Sequence, residues 1–304
     1  MKIRTYKDSD FDQLLPFLNA NNDLDEFNET LLKEKLCDDP AWNPETCYIA
    51  EDEQGIVGFM QGVIRDVRGT RYGYIKLMAV DMTVRRQGIA RQMYQLLEKE
   101  FVKQNVDAVR IYDVPLNYFM PGIDPHYTPA LCFAERMGFK RFGDTSNLLV
   151  SLNQDWSTAE KEAELLRDNI VVSRATHAEY EEVMELIDAE WPLWRNEVET
   201  AYQSDPVALH IARLNGKVRA FSAHNGNNVG TGWFGPMGTH PDLRGKGIGG
   251  VLLYRCLQDM KDWGLPNSII PWVGPIDFYS HYANAVVDRV FWRYEKILKQ
   301  VKTS

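Results

Sequence analysis

The chain has 304 residues, with 34 Lys and Arg against 43 Asp and Glu, a formal charge of −9, 44% hydrophobic residues and eight Trp. That composition lacks the basic footprint of a general nucleic-acid binder and the polarity of a disordered chain, and no run of 18 apolar residues is present to form a membrane-crossing helix. The length suits two domains.

In chain order, Lys2–Tyr6 reads as a short strand, and Asp8 can cap a helix carrying Phe11, Leu14, Leu15 and Leu18 at helical spacing. A second helix is expected near Asn28–Leu36. Strands follow at Cys47–Ala50, Ile56–Ile64 and Tyr74–Val84, with Glu53-Gln54-Gly55 as a hairpin turn. After Arg85-Arg86-Gln87-Gly88-Ile89-Ala90 a helix should run to about Gln104, with Ile89, Met93, Leu96 and Leu97 on its buried face. A strand at Ala108–Tyr112, a loop, a helix near Pro129–Met137 ended by Gly138, and a strand to about Leu152 complete the first half.

The second half repeats this order. Ile170–Arg174 is strand-like, Glu179–Glu190 and Arg195–Gln203 are helical, and Val207–Leu214 with Val218–Ala223 form a hairpin about Asn215-Gly216. Gly232–Thr239 is a strand broken by Pro236. Arg244-Gly245-Lys246-Gly247-Ile248-Gly249 then opens a helix that ends at Gly264. Ile269–Val273, a short helix Ile276–Tyr282 and the strand Val286–Ile297 follow. Ser157–Arg167 is rich in helix formers. The expected domains are therefore 1–152 and 170–304, joined by a helical linker at 153–169, as a duplication of one plan.

Both glycine segments follow a strand and open a helix. A helix N-terminus has unpaired N–H groups and the positive end of the dipole, and small residues let the backbone approach a pyrophosphate closely. Gly245-Lys246-Gly247-Ile248-Gly249-Gly250 also fits Gly-x-Gly-x-x-Gly, but Pro241-Asp242-Leu243-Arg244 separates it from its strand, and the next strand ends without an acid, so a dinucleotide fold is disfavoured.

With Val80-Asp81-Met82-Thr83-Val84 and Thr239-His240-Pro241-Asp242-Leu243 leading into them, the two loops resemble the acyl-CoA pyrophosphate loop of the GNAT (Gcn5-related N-acetyltransferase) superfamily, and nearly the whole chain resembles two GNAT units in tandem. The resemblance implies an α/β (α+β) fold. Each unit would be a mixed, mostly antiparallel sheet flanked by helices, opening into a V-shaped cleft between its fourth and fifth strands. It implies transfer of an acetyl group from acetyl-CoA to an amine of a small molecule by direct attack. The implied cofactor-binding residues are Met237, Thr239, Arg244, Gly245, Lys246, Gly247, Ile248 and Gly249 in the second half, and Met78, Val80, Arg85, Arg86, Gln87, Gly88 and Ala90 in the first, with Gly238 and Leu77 among the strand candidates. The late helix carries Phe278-Tyr279, and the family implies Tyr279 as the proton donor to the departing thiolate. The first half has Phe133-Ala134 there and lacks that acid, leaving Tyr118 or Tyr127 as substitutes.

Candidate bases for the acceptor ammonium are Glu190, His210, His224, His240 and Asp277, or Glu51, Asp81 and Asp113, with none singled out. Ten acids within residues 1–40 suit a cationic acceptor. Cys37, Cys47, Cys132 and Cys256 fall at no metal-ligand spacing, and Cys256 reads as a buried small apolar residue. Met1–Asp8 has no apolar signal core. A cytoplasmic protein with no metal, nucleic-acid or membrane partner is expected. The rival reading is an acyl-CoA-binding regulatory module in which one or both units do not turn over.

Overall fold

A computed structural model describes residues 1–299. The chain divides into two compact units, one formed by residues 1–145 with the segment from Val290, the other by 146–289. This differs from the division at 152 and 169 expected from the sequence.

The first unit contains β1 (Lys2–Thr5), α1 (Phe11–Asn21), α2 (Glu29–Leu36), β2 (Cys47–Asp52), β3 (Gly55–Val67), β4 (Thr70–Val80), α3 (Ile89–Lys103), β5 (Ala108–Ile111), α4 (Thr128–Arg136) and the start of β6 (Lys140–Ser151). Strands β1 to β4 form an antiparallel meander. β3 and β4 are longer than expected and turn at Arg68-Gly69, whereas Met82–Val84, expected as strand, is a 3-10 turn capped by Asp81. β5 joins β4 in parallel from Tyr72 to Ile75, and Lys76–Val80 continue without it, which opens the expected cleft. Helix α3 buries Ile89, Met93, Leu97 and Phe101 at four-residue spacing, while Leu96, expected on that face, is 37% exposed because it is turned a full position off the stripe.

The second unit contains the rest of β6, α5 (Ala159–Arg167), β7 (Ile170–Arg174), α6 (Tyr180–Glu190), α7 (Arg195–Ala201), β8 (Leu209–Leu214), β9 (Lys217–His224), β10 (Phe234–Thr239), α8 (Ile248–Asp262), β11 (Asn267–Ile270), α9 (Ile276–Ala283) and the start of β12 (Val286–Ile297). β7 to β10 form the matching meander. Just before β10, Trp233 forms an isolated parallel bridge to Ile269 of β11, and β10 itself has no ladder with β11 among the described residues. The unit boundaries follow from pairing. Leu148–Ser151 of β6 pair with β11, so they belong to the second unit, while Glu295–Ile297 of β12 pair with β5 in the first. The 153–169 segment holds helix α5, which packs on β7 through Leu165 beside Ile170 and Val172.

Candidate active site

In each unit the strand that leads into the glycine loop carries a bulge at the matching place. In β4, Gln61 and Gly62 of β3 face Leu77 and Ile75, which leaves Lys76 as the extra residue. In β10, Phe234 faces His224 and Met237 faces Ser222, so Gly235 and Pro236 share one position. A bulge turns backbone donors out of the ladder toward the open cleft. Pro236 has no N–H, so the second unit offers one donor fewer than the first at that step.

The two loops share a backbone course. Arg85 and Arg244 are extended, Arg86 and Gly245 are left-handed at φ 65° and 78°, and Gly88 and Gly247 cap their helices at φ 85° and 79°. Those φ values favour glycine, and Arg86 holds one at a steric cost of about 1 kcal/mol. The first ladder bonds of the helices are Gln92 N–H to Gly88 O and Val251 N–H to Gly247 O, so the N–H groups before them, including those of Ile89, Ala90, Ile248 and Gly249, lie outside the helical ladder. The arginines act partly as braces. Arg85 donates to Val80 O at 3.0 Å and to Asn21 O at 3.2 Å, and Arg244 donates to Thr239 O at 3.3 Å. Lys246 is ion-paired with Asp168 at 2.9 Å on the surface.

Two cations that the sequence pattern did not single out lie against the loops. A Cβ on Gly247 would come within 2.8 Å of Lys161 Cε, and one on Gly88 within 3.2 Å of an Arg91 guanidinium nitrogen. Arg91 is visible in sequence as the basic residue in the first helical turn. Lys161 sits on α5, remote in the chain, and no local signal ties it to the loop.

Met237 and Phe278 close over the first turn of α8, where a Cβ on Gly249 would lie 3.0 Å from Met237 Cε and 3.2 Å from Phe278 Cζ. Tyr279 follows on α9, half-buried, edge-on to Phe278 at 5.0 Å and to Phe234 at 6.0 Å. Its hydroxyl makes no hydrogen bond among the described residues, and burial pushes its pKa up to about 12. In the first unit Ala134 is fully buried at the corresponding place. Tyr127 is committed elsewhere, donating to Asp25 at 2.7 Å and accepting from Leu24 N–H at 3.1 Å, and Tyr118 is buried.

The bulge residue Lys76 is fully buried. It donates to Asp39 at 2.5 Å, and Asp39 also takes Arg65 at 2.8 Å. Desolvation brings Lys76 down to about 7, against the pull of Asp39 and with the push of Lys35. Lys35, also fully buried, bonds Glu34 and Asn117. On this side β4 faces its own charged residues.

The candidate bases separate. His210 and His224 are buried, each with Nε2 on Asp259 Oδ2, at 2.8 and 3.1 Å, and Arg174 forks onto the same carboxylate. Both imidazoles are core residues closed to an acceptor. Glu51 is paired with Arg4, Asp81 caps the turn through Thr83, and Asp113 is buried against Arg293. Asp113 is pushed up to about 7 by burial. Asp277 is exposed, and Glu190 stands 3.8 Å from His240 Nε2. Cys256 is buried against Ser222, and burial raises its thiol. All four cysteines are free, and no cluster of three or more potential metal ligands exists among the described residues.

The model of the Acetyltransferase (GNAT) family matches the chain twice, over residues 15–139 and 174–281. No curated protein matches. Among solved structures, the chain is similar to a GCN5-related glucosamine N-acetyltransferase region of a fungal multi-domain GH3 β-N-acetylglucosaminidase. The TM-score is 0.81 at 20% identity, over 97% of this chain and 38% of that one, so the chain spans well under half of that protein. A GCN5-related N-acetyltransferase from Sphaerobacter thermophilus gives a TM-score of 0.72 at 16% identity, covering 98% and 96% of the two chains. A tandem GNAT protein from the clavulanic acid biosynthesis pathway gives 0.70 at 14% identity, covering 99% of each. These likenesses are of fold. Among the described residues no helix is long and apolar enough to cross a membrane.

Proposed function

The chain belongs to the acetyltransferase (GNAT) family, as two family units in tandem, and is an acyl-CoA-dependent N-acyltransferase; from that premise we propose that its second unit moves an acetyl group from acetyl-CoA to the amine of a small molecule by direct attack. The observation that carries this reading is Tyr279, a half-buried phenol with an uncommitted hydroxyl beside the cofactor strand and loop, where the first unit has buried Ala134.

Bound acetyl-CoA supplies the thioester carbonyl, which the acceptor attacks as free amine once its ammonium has given one proton to solvent; the second N–H proton leaves to solvent as the C–S bond breaks, and solvent restores the proton of Tyr279. The backbone of Arg244–Gly249, with Lys161 beside it, holds the pyrophosphate at the start of α8. The N–H groups of Met237 and Thr239 line the acyl arm and stabilise negative charge on the carbonyl oxygen. Tyr279, kept protonated by its raised pKa, gives its proton to the leaving sulfur, a contribution of about 10²–10⁴-fold for a well-placed acid.

The first unit binds acyl-CoA through Met78, Val80, Arg85, Arg86, Gln87, Gly88 and Ala90 and is not the main catalyst. The buried Lys76–Asp39–Arg65 cluster on the α2 side of its β4 favours this division of roles. Four free thiols suit a reducing, cytoplasmic setting. A thiol-release assay with acetyl-CoA and a panel of small amines tests the proposal. Turnover of at least one amine is expected, and tight CoA binding with no turnover on any would leave the regulatory module.

A further inference from the structure

Both units set a cation against the glycine that caps the helix after the loop, and they do so by different routes. In the first unit the cation is Arg91, on the first turn of α3. A Cβ on Gly88 would fall 3.2 Å from its guanidinium nitrogen. Residues three apart share a helix face, so the helix supplies this charge itself. The register of the two loops puts Gly250 where the first unit has Arg91. Gly250 is buried and has no room for a side chain, since a Cβ there would fall 2.3 Å from Tyr282 Cε1. Tyr282 is held in place. Its ring packs on Phe278 with centroids 4.8 Å apart, and its carbonyl accepts from the Tyr254 hydroxyl at 2.7 Å. The second unit has closed the position that arms the first.

Its cation arrives from another element. A Cβ on Gly247 would lie 2.8 Å from Lys161 Cε and 3.6 Å from Lys161 Nζ. Lys161, Leu165 and Asp168 recur at i, i+4 and i+7 along α5 and its C-cap, and so share one face. All three meet α8 or its loop. Lys161 lies at Gly247, Leu165 is in one cluster with Ile248, Val251 and Leu252, and Asp168 pairs with Lys246 at 2.9 Å. Beside that face, Glu162 accepts from Arg255 Nε and Nη2, each at 2.7 Å. Helix α5 is thereby pinned along the start of α8 with one lysine over the capping glycine. It ends before residue 174, where the second family match begins.

The nearby carboxylates leave this charge usable. Lys161 pairs with Glu164 at 2.8 Å, an i, i+3 pair whose side chains are 38% and 60% exposed. Such a pair gains little in water, so a phosphate beside fixed N–H donors competes for the ammonium. Asp168 is taken by Lys246, and Glu162 by Arg255.

We infer that Lys161 of α5 is the pyrophosphate cation of the second unit, standing in for the arginine that the first unit carries at 91. This rests on the proposed binding of acyl-CoA at the Arg244–Gly249 loop. The ammonium leaves Glu164 for the pyrophosphate, and the acyl-CoA affinity of the second unit depends on a helix that precedes the matched family segment.

The test is calorimetry of CoA on the full chain with one loop blocked at a time. In the Gly88→Val protein only the second site remains. There Lys161→Met should weaken CoA at least about fivefold, Lys161→Arg should recover most of the loss, and Arg91→Met should do nothing. In the Gly247→Val protein only the first site remains, and the effects of Lys161→Met and Arg91→Met should exchange. Dephospho-CoA, which keeps the pyrophosphate, should show the same loss in Lys161→Met. A loss seen with CoA alone would move the contact to the 3′-phosphate and overturn the assignment. In turnover, Lys161→Met should raise KM for acetyl-CoA with kcat within about twofold. The inhibition constant of pantetheine, which has no phosphate, should stay the same. Unchanged CoA affinity in Lys161→Met, with binding lost in Gly247→Val, would remove Lys161 and leave the loop standing. Binding unmoved by Gly247→Val would remove the loop and this inference with it.

Discussion

Replacing Tyr279 by Phe removes one oxygen from a ring that is packed but not hydrogen-bonded. The ring keeps its edge contacts with Phe278 and Phe234, and no buried partner is left unsatisfied. Thermal stability at pH 7 should therefore change by no more than about 0.5 kcal/mol, and acetyl-CoA affinity should hold. The chemical step should not. An acid that supplies ~10²–10⁴ is partly replaced by water, so kcat is expected to fall at least tenfold, about 1.4 kcal/mol of barrier. The pH behaviour is specific. With the phenol pushed up to about 12, it keeps its proton through pH 10, so the wild-type rate should show no alkaline fall from this group below that value. A phenol whose folded pKa is raised contributes stability that is complete below its unfolded value, about 10, and that is lost as pH rises toward 12. Tyr279→Phe should accordingly lose less stability than wild type between pH 10 and 12. Stopped-flow thiol release and denaturation at both pH values measure the pair. A Phe variant with wild-type kcat would refute the acid and return attention to the first unit.

Gly247→Val forces a β-branched residue to φ 79° and pushes its side chain toward Lys161, so calorimetry should show CoA lost from the second unit and turnover with it. Gly88→Val should lower CoA stoichiometry while turnover persists, and loss of turnover there would exchange the roles of the units. Asp39→Ala leaves Lys76 and Arg65 buried without their carboxylate, and urea unfolding should show a loss of about 3–5 kcal/mol. His210 is lowered by burial, against the hydrogen bond and charge of Asp259. Its folded pKa lies below the unfolded 6.5, so the stability it contributes is present above pH 6.5 and lost as pH falls below it. His210→Asn should flatten the acid side of the stability profile from pH 6.5 downward, and an unchanged slope would exclude His210 as its source.

What was legible in the sequence was local. Gly88 and Gly247 announce their left-handed caps because only a turn into a helix needs them there, and the order of strands around them follows from period-two and helical patterning. Pairing between distant segments was not legible. Nothing in Val286–Ile297 says that its end bonds β5, nor does anything in Leu148–Ser151 point to β11, because a strand's pattern names its buried face and not its neighbour. His210 and His224 looked like bases because a histidine in sequence carries no mark of burial, and Asp259, the carboxylate that occupies both, lies 35 or more residues away. Gly238 stands among the candidate donors of its strand, and nothing in the sequence says that Trp191 lies against it.

The two units differ where function depends on a side chain and agree where it depends on the backbone. The loop survives the exchange of Arg86 for Gly245 and of Ala90 for Gly249 because its donors are main-chain N–H groups, and both versions hold the same φ course. The bulge survives a change from Lys76 to Gly235-Pro236 for the same reason, at the loss of one N–H. The proposed acid has no such reserve. Where the second unit carries Tyr279 the first carries Ala134, an alanine with no exposure. A duplicated unit under no demand for turnover would keep the cradle and lose the phenol, and could then accept a buried charge cluster such as Lys76, Asp39 and Arg65 beside a strand that no acceptor has to reach. The first unit has that combination. The second keeps the phenol, and a glycine at 238 that leaves room for an indole on the same strand.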